Sequence, residues 1–322
     1  MAFHFRDNFP FVALPFSRFF PVPDPQLSVA PSVPFFARLQ YIMPKKSLTV
    51  FAGALASARL GLITKAFIYY FIWRYGVKMS EAAEPKVRAY ETFNDFFTRP
   101  LRVGARTLAD ATWTSPVDGA ISQFGHIERD QIFQAKGHHY TTTALLGGDA
   151  ALAAEFENGH FATLYLSPRD YHRIHMPCNG KLRRMIYVPG DLFSVNPTTA
   201  RGVPGLFARN ERVVCIFDTD HGPLAQVLVG ATIVGSMETS WHGVVNPPRR
   251  KAVMEWVYGD FSDASTSRDI RLSQGAEMGR FLLGSTVVLL WPSIQGTKNM
   301  QFNPDWAPGK AIQLGEKMAD LA

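Results

Sequence analysis

The stretch FLLGSTVVLLW, residues 281–291, has the apolar composition of a buried β-strand, but Gly284, Ser285 and Thr286 interrupt it near its centre. In a strand whose side chains alternate between two faces, the Ser285 hydroxyl shares one face with large hydrophobic side chains, those of Phe281, Leu283, Val287, Leu289 and Trp291. A buried hydroxyl without a partner costs roughly 1–3 kcal/mol. The stretch therefore predicts either a β-bulge with a satisfied serine or a serine placed there for chemistry.

This stretch lies in a long region of β character that begins near residue 112. Short apolar runs there are separated by Gly, Pro, Asn and Asp, and they read HFATLYL, KLRRMIYV, ERVVCIF, LAQVLVGATIVG and AVMEWVYG. Such spacing is typical of strands joined by turns. We therefore predict a β-rich domain, barrel-like or sandwich-like, over residues 112–322, in a chain of the α+β class.

The region before this domain divides by composition into three parts. Residues 1–35 are rich in Pro and Phe and have no helical or strand period, so we predict an irregular N-terminal arm. Residues 36–76 are apolar, aromatic and basic, and we predict short amphipathic helices that associate with a membrane. Residues 77–111 are predicted to be a helical connector, with a helix over residues 85–98 that ends before Arg99 because a proline follows.

The charge of residues 36–76 points to an anionic membrane as the partner. No acidic residue occurs between Pro25 and Ser80, while the basic residues there are Arg38, Lys45, Lys46, Arg59, Lys65, Arg74 and Lys78. The apolar runs between them are unlike a surface that follows phosphates, so no nucleic-acid partner is expected. The charge-free runs are shorter than the about 20 residues of a membrane span. We therefore predict two short helices in the membrane interface, with packing on the protein body as the alternative.

The cysteines and the N-terminus indicate the compartment. The chain has two cysteines, Cys178 and Cys215, without CxxC spacing. We therefore expect no disulfide framework, which suits a protein of a reducing compartment. The N-terminus lacks an apolar stretch followed by a small-residue cleavage site, so no signal peptide is expected. With the basic helices, these features predict a peripheral, monotopic protein on the cytoplasmic face of the cell membrane.

Three polar stretches of the β-rich domain carry candidate catalytic side chains. SPVDGAISQFG holds Asp118 at a turn, and YLSPRDYHRIHMPCNG holds His172 and His175 directly after an apolar strand. These histidines meet on a helical turn but face opposite ways on a strand, so the local backbone decides whether they share a site. With Ser285 they supply the residue types of a nucleophile, a base and an orienting carboxylate. Each is also compatible with a structural role.

Other classes of site lack their sequence signals. The remaining histidines have no HExxH or comparable ligand spacing, so no metal site is expected. Neither GGDA nor GATIVG has the spacing of a Walker or dinucleotide-binding loop, and the G-x-S-x-G elbow of an α/β-hydrolase is absent from the sequence.

Eight blocks along the chain, in order, resemble the phosphatidylserine decarboxylases of bacterial type. They are FNDFFTRPLR, SPVDGAISQFG, QAKGHHY, YLSPRDYHRIHMPCNG, PGDLFSVNP, FARNERV, VLVGATIVGSMETS and FLLGSTVVLLWP. The likeness runs from about Leu39 to the C-terminus. It implies a zymogen of phospholipid biosynthesis whose β-rich domain, once processed, decarboxylates phosphatidylserine to phosphatidylethanolamine and CO₂.

The resemblance further implies autocatalytic cleavage between Gly284 and Ser285. The products would be a β chain of residues 1–284 and an α chain of residues 285–322, which stay associated; a homo-oligomer is left open. In the implied mechanism the side chain at position 175, oriented by Asp118, takes the serine proton, and Oγ attacks the preceding carbonyl.

The implied cofactor is a pyruvoyl group made from Ser285, with no metal and no pyridoxal phosphate. The substrate amine would form a Schiff base with its carbonyl, which accepts the electrons left when CO₂ departs. His172 would protonate the substrate Cα or hold the carboxylate. The rival interpretations are a pyruvoyl enzyme acting on a soluble amino acid, a non-enzymatic membrane-associated β module, and a serine hydrolase that keeps a free serine.

Overall fold

The computed structural model describes residues 44–232, 236–245, 251–259, 269–282, 285–293 and 299–322. The predicted arm, residues 1–35, lies outside them, and so does Gly284. The helices of the described residues are α1 Lys45–Ser57, α2 Leu62–Tyr75, α3 Phe93–Phe97, α4 Thr142–Leu145, α5 Ala150–Ala154, α6 Pro197–Ala200 and α7 Leu206–Arg209. Single 3₁₀ turns lie at Met79–Glu81 and Val87–Ala89.

Strands dominate the chain after residue 112. In chain order they are β1 Trp113–Thr114, β2 Gly119–His126, β3 Gln131–Ala135, β4 His138–Thr141, β5 His160–Leu166, β6 Arg173–His175, β7 Gly180–Val188, β8 Arg212–Thr219, β9 Gly222–Val229, β10 Met237–Thr239, β11 Gly243–Val244, β12 Met254–Val257, β13 Arg271–Leu272, β14 Glu277–Phe281, β15 Ser285–Trp291, β16 Met300–Phe302, β17 Ala311–Ile312 and β18 Lys317–Leu321.

These strands form one large sheet and three smaller ones. The large sheet has the order β12-β7-β8-β9-β15-β5-β2-β17, with β13 also paired to β7. A second sheet has the order β11-β10-β14-β6, a third has the order β1-β18-β16, and β3 and β4 form a hairpin. All the strand pairs are antiparallel, which allows the short connections that the Gly- and Pro-containing spacers predict. β15 lies in the middle of the large sheet, between β9 and β5.

The large sheet buries both of its faces, because its strands are apolar on both sides. Val287 and Leu289 of β15 lie in a first core, whereas Val288 and Leu290 lie in a second. The first core is shared with the second and third sheets, which contribute residues of β6, β10, β14, β16 and β18. The second core is covered by the hairpin and by α4 to α7. The fold is therefore α+β and mostly β, as predicted, with stacked, sandwich-like sheets instead of a closed barrel.

The stretch 281–291 forms parts of two strands, whereas its alternation predicts one. β14 ends at Phe281 in the second sheet, and β15 begins at Ser285 in the large sheet. The chain therefore passes from one layer to the other between them, and Ser285 starts its strand instead of lying in the middle. Periodicity does not distinguish the two cases, because Phe281 and Val287 face the same first core from opposite layers.

Helices α1 and α2 occupy the apolar, basic segment. They are joined by residues 58–61, where Gly61 has a φ of 59°, a conformation that glycine adopts readily. In the described part of the chain no single helix is long and apolar enough to span a membrane; α1 and α2 taken together reach that length and composition, with a bend of 111° between them. The inner side of α2 packs on α3 in a third core that contains Ile68, Phe71 and Phe93.

The helix predicted over residues 85–98 is shorter in the structure. Thr92 caps the N-terminus of α3, since its Oγ1 accepts from the amide of Asp95 while the Asp95 carboxylate accepts from the amide of Thr92, both at 3.0 Å. This capping box sets the start of α3, so the preceding residues are not part of the helix. The end before Arg99 agrees with the prediction.

Candidate active site

One end of the large sheet brings two of the predicted site residues near each other. Thr286 of β15 pairs with Tyr165 of β5, which on its other side pairs with Ala120 of β2. Asp118 and Ser285 therefore lie at the same end of the sheet, on either side of β5. Asp118 directly precedes β2 and Ser285 starts β15, and these two strands are two strand spacings apart, about 10 Å.

The segment that carries the histidines leaves β5 at this same end. Leu166, the last residue of β5, pairs with Ser285, and the next residues lead directly to His172. On the other side of β5, Gly119 permits close packing, because a Cβ there would lie 2.3 Å from the carbonyl oxygen of Tyr165. Close packing on β5 thus explains the glycine of the VDG turn. The histidine segment leaves β5 between the strand that follows Asp118 and the strand that begins with Ser285.

Ser285 is fully buried, and its Oγ has no hydrogen-bond partner among the described residues. β15 pairs with β5 from Ser285 to Trp291 without a register shift, so these described residues contain no bulge; Gly284 lies outside them. A hydroxyl left in this state costs roughly 1–3 kcal/mol. The described residues therefore supply no partner of the kind that the interpretation of a bulge with a satisfied serine expects.

His172 is another buried residue of this region with a polar atom that has no partner. Its Nδ1 lies 2.8 Å from the carbonyl oxygen of Asp170, and because a carbonyl only accepts, Nδ1 carries the proton. Nε2 then has a free lone pair, without a partner in the described part of the chain. Burial lowers the pKa of His172 to about 3, so the imidazole is neutral at pH 7. Its ring packs on Phe97, with 4.1 Å between ring centres.

His175 has both ring nitrogens engaged. Nδ1 donates to the carbonyl oxygen of Gly275 at 2.8 Å, which leaves the lone pair on Nε2, and the hydroxyl of Tyr171 donates to Nε2 at 3.1 Å. Burial lowers the pKa of His175, while the hydrogen bond to Gly275 and the nearby charges of Glu277 and Asp118 oppose that effect. The imidazole is therefore neutral, with the tautomer that a general base at Nε2 requires.

Asp118 is held by groups other than His175. Its Oδ1 accepts from Nε of Arg106 at 2.9 Å and from the backbone amide of Leu314 at 2.8 Å. Nη2 of Arg106 also contacts Oδ2 of Asp118 and donates to Glu81 at 2.7 Å. Among the described residues Asp118 makes no hydrogen bond to His175, so its influence on the imidazole is through its charge. The orienting hydrogen bond expected from the sequence is replaced by the carbonyl of Gly275.

Two side chains of this site were not among the predicted residues. Tyr171 precedes His172 in the quoted YHRIH stretch, and this position next to a candidate histidine was a signal for a site residue. An aromatic residue there is equally typical of the hydrophobic core. Arg106 lies in a region that the sequence assigns to a connector, and nothing in its neighbours indicates a partner 12 residues away. In the described residues no group of three or more His, Cys, Asp or Glu side chains is arranged to hold a metal.

Comparison with known proteins identifies relatives of the chain. A family model described as phosphatidylserine decarboxylase matches residues 93–320, and one described as PSD matches residues 35–76. A protein of Polaromonas naphthalenivorans (strain CJ2), named phosphatidylserine decarboxylase proenzyme, is 66% identical over 283 residues, 88% of this chain and 95% of that protein.

Two further relatives carry the same name. The one from Azoarcus sp. (strain BH72) is 67% identical over 282 residues, which are 88% of this chain and 94% of the relative. The one from Methylibium petroleiphilum is 68% identical over 281 residues, or 87% of this chain and 95% of the relative.

Proposed function

The chain belongs to the phosphatidylserine decarboxylase family, and we propose that it cuts itself between Gly284 and Ser285 and decarboxylates phosphatidylserine with the pyruvoyl group that results. The observation that carries this proposal is the state of Ser285, whose buried hydroxyl lacks a partner among the described residues. The word proenzyme in the names of the relatives agrees with a chain that matures by cleavage.

Self-cleavage begins with an N-to-O acyl shift. Oγ of Ser285 loses its proton to a base and attacks the carbonyl carbon of Gly284, so the amide becomes an ester. Elimination across Cα and Cβ of Ser285 then breaks the ester and releases the glycine carboxylate. Water adds to the remaining unsaturated residue and ammonia leaves, which converts the former serine into a pyruvoyl group. One water is consumed and one ammonia is released.

We assign His175 as the base for this step. Its neutral imidazole, with the proton on Nδ1 and the lone pair on Nε2, is in the form that accepts a proton. The hydroxyl of Tyr171 occupies that lone pair, so it must turn away, or pass its own proton to Nε2 while taking the proton of Ser285. In either case the Tyr171 hydroxyl must move or exchange a proton before cleavage begins.

Asp118 supports the base through its charge. The imidazolium that forms on His175 is stabilised by a nearby carboxylate even without a hydrogen bond, because the interior screens charge less than water does. Arg106 and the amide of Leu314 hold the carboxylate in place. Leu314 belongs to residues 285–322, so the same bond also ties the two product chains together.

The site fits a pyruvoyl group at position 285. The buried hydroxyl of Ser285 and the buried Nε2 of His172 are both unpartnered among the described residues, so the site contains polar capacity that the precursor does not use. Once formed, the group supplies an electrophilic carbonyl that receives the electrons left by departing CO₂. β5 and β9 flank β15 along its length and retain the new chain end in the sheet.

His172 serves turnover as a proton carrier. Since its Nδ1–H is fixed by the carbonyl of Asp170, Nε2 has a lone pair and no hydrogen to donate to a carboxylate. Of the two roles that the sequence left open, this tautomer favours proton transfer over holding the carboxylate. A proton that Nε2 takes up from solvent is readily passed to the substrate Cα, because burial makes the imidazolium more acidic than usual.

The surface of α1 and α2 contacts the membrane that contains the lipid substrate. Their outer sides expose large apolar side chains, with Leu62 87% and Trp73 78% exposed, although the inner side of α2 is packed. Such exposed apolar surface next to basic residues suits a helix pair lying in the interface of an anionic membrane. We propose peripheral attachment on the cytoplasmic face, to which the free cysteines Cys178 and Cys215 are suited.

Release of CO₂ tests the proposed function. The purified protein should release CO₂ from phosphatidylserine in mixed micelles and not from free serine at the same concentration, and Ser285→Ala should release none. Turnover of free serine would favour the rival enzyme on a soluble amino acid. Reaction of the mature protein with a fluorophosphonate, without release of CO₂, would favour a serine hydrolase.

A further inference from the structure

Arg99, in the block FNDFFTRPLR, is a buried arginine that the mechanism above does not use. The residue is 5% exposed, and its Nη1 donates to the carbonyl of Phe96 at 3.3 Å. In the described part of the chain Nε and Nη2 have no acceptor, and no carboxylate lies within ion-pair distance of this guanidinium. Burial lowers the pKa of Arg99, and Tyr90, Asp118, Glu81 and Asp170 raise it from a distance. The guanidinium also lies 5.2 Å from the centre of the Phe96 ring, a cation–π contact. Neither the carbonyl nor the ring neutralises its charge, so an anion from outside the protein would stabilise it.

The position of Arg99 is between the apolar helices and the candidate active site. Phe97 packs with α2 in the third core on one side and lies against the ring of His172 on the other. The carbonyl of Thr98 accepts from Nε of Arg173 at 2.8 Å, which fixes the segment before Arg99 to β6. Arg99 is near enough to His172 for its charge to lower the pKa of that imidazole.

We propose that Arg99 binds the phosphodiester of the lipid substrate and so makes the enzyme prefer a phospholipid over a serine derivative without phosphate. This inference rests on the proposed function. In the lipid, the phosphodiester lies between the serine and the glycerol with its acyl chains. Arg99 lies two residues after Phe97, which contacts both His172 and the core under α2. The guanidinium is planar and pairs with two phosphate oxygens at once.

The chemistry of the reaction selects the phosphodiester over the substrate carboxylate. Decarboxylation removes negative charge from the carboxylate, so a cation paired with it would stabilise the ground state more than the transition state and slow the step. The phosphodiester keeps its charge throughout. A cation paired with that group strengthens binding equally in both states, and its loss should therefore raise KM and leave kcat nearly unchanged.

The test compares Arg99→Gln and Arg99→Lys with wild type on two substrates. One is phosphatidylserine in mixed micelles, and the other is O-dodecylserine, which keeps the amine, the carboxylate and an alkyl chain but has no phosphate. Arg102→Gln is the matched control, because Arg102 is an exposed arginine of the same block whose Nε donates to the carbonyl of Ser80 at 3.2 Å. Intact mass of each variant records self-cleavage, which uses no lipid.

The expected result is complete cleavage in all variants and a KM for phosphatidylserine raised about tenfold or more in Arg99→Gln, the usual cost of a lost charge-assisted bond. The KM of Arg99→Lys for phosphatidylserine should lie between those of wild type and Arg99→Gln. The KM for O-dodecylserine should be unchanged in the Arg99 variants, and Arg102→Gln should have wild-type KM values for both substrates. Equal losses on both substrates, or no loss on either, would overturn the proposal, and so would failure of both Arg99 variants to cleave. Absence of cleavage in wild type would instead refute the proposed function.

Discussion

The hydroxyl of Tyr171 donates a hydrogen bond to Nε2 of His175 at 3.1 Å and thereby occupies the lone pair that the proposed base uses. Because the carbonyl of Gly275 fixes the proton on the other ring nitrogen, the imidazole cannot turn to another tautomer without losing that bond. In the precursor the base therefore has the correct tautomer, but its Nε2 lone pair already accepts a hydrogen bond. The tyrosine is the group whose movement or proton exchange starts the cleavage.

Tyr171→Phe should shift the pH dependence of self-cleavage upward. The hydroxyl stabilises neutral His175, so its removal makes protonation easier and raises the pKa of the imidazole from its lowered value. Cleavage needs the neutral base, hence its midpoint should move to higher pH by less than about one unit, as expected for one hydrogen bond. The rate of appearance of residues 285–322 after synthesis in vitro, measured from pH 5 to 8, gives this midpoint.

Tyr69→Phe serves as the control for that experiment, since Tyr69 is an exposed tyrosine of α2. An unchanged midpoint in Tyr171→Phe would mean that the hydrogen bond to His175 has no energetic role in cleavage. Complete loss of cleavage would mean that the tyrosine relays the proton itself.

The two histidines of the YHRIH stretch should separate cleavage from turnover. His175→Ala removes the base and should leave the uncut precursor. His172→Ala should give two chains, because cleavage does not use its Nε2, and should lower CO₂ release from phosphatidylserine by about 100-fold or more, the usual contribution of a proton carrier. His139→Ala, at an exposed position of β4, should behave as wild type. Normal cleavage in His175→Ala would refute the assignment of the base.

Asp118 should be needed for its charge as well as for its hydrogen bonds. Asp118→Ala removes the acceptor of Arg106 and of the Leu314 amide and should stay uncut. Asp118→Asn keeps an acceptor but loses the charge that stabilises the imidazolium of His175, so cleavage should slow by about tenfold or more. Asp218→Asn, at an exposed aspartate paired with Arg183 at 3.4 Å, is the control. Cleavage of Asp118→Asn at the wild-type rate would exclude the electrostatic role.

The outer side of α1 and α2 should carry the membrane binding. Replacing Leu62 and Trp73 together by serine removes two large exposed apolar side chains, each contributing about 1.5–3 kcal/mol when buried. The fraction that floats with anionic vesicles should fall by about tenfold or more for the pair. Val103→Ser, at a fully exposed valine outside these helices, should float as wild type. Unchanged flotation of the double variant would refute attachment through this surface.

The local sequence pattern was sufficient for the character of the strands but not for their partners. The apolar composition of residues 287–291 correctly predicts a buried strand, and the structure buries it on both faces. The alternation predicted for this stretch extends to Phe281, which belongs to another sheet, because strand pairing depends on residues distant in the chain. The prediction of a helix over residues 85–98 was wrong about its start for a local reason, because the capping box at Thr92 begins the helix there.

The candidate site shows the same division between local and distant information. Asp118, His172, His175 and Ser285 were chosen for their residue types and for a family resemblance, and the register of β2, β5 and β15 accounts for how two of them come to one sheet end. The partners of these groups are set by tertiary contacts. No spacing rule predicts that Arg106 holds Asp118 or that a backbone carbonyl replaces the expected carboxylate.

The mass of the intact wild-type protein shows whether the chain cuts itself between Gly284 and Ser285. We predict two chains that separate on denaturation, residues 1–284 and residues 285–322, with the smaller lighter by one ammonia than a chain beginning with free serine. Ser285→Ala should give one uncut chain and no CO₂ from phosphatidylserine. A wild-type protein that remains a single full-length chain and yet decarboxylates the lipid would refute self-cleavage as the source of the activity.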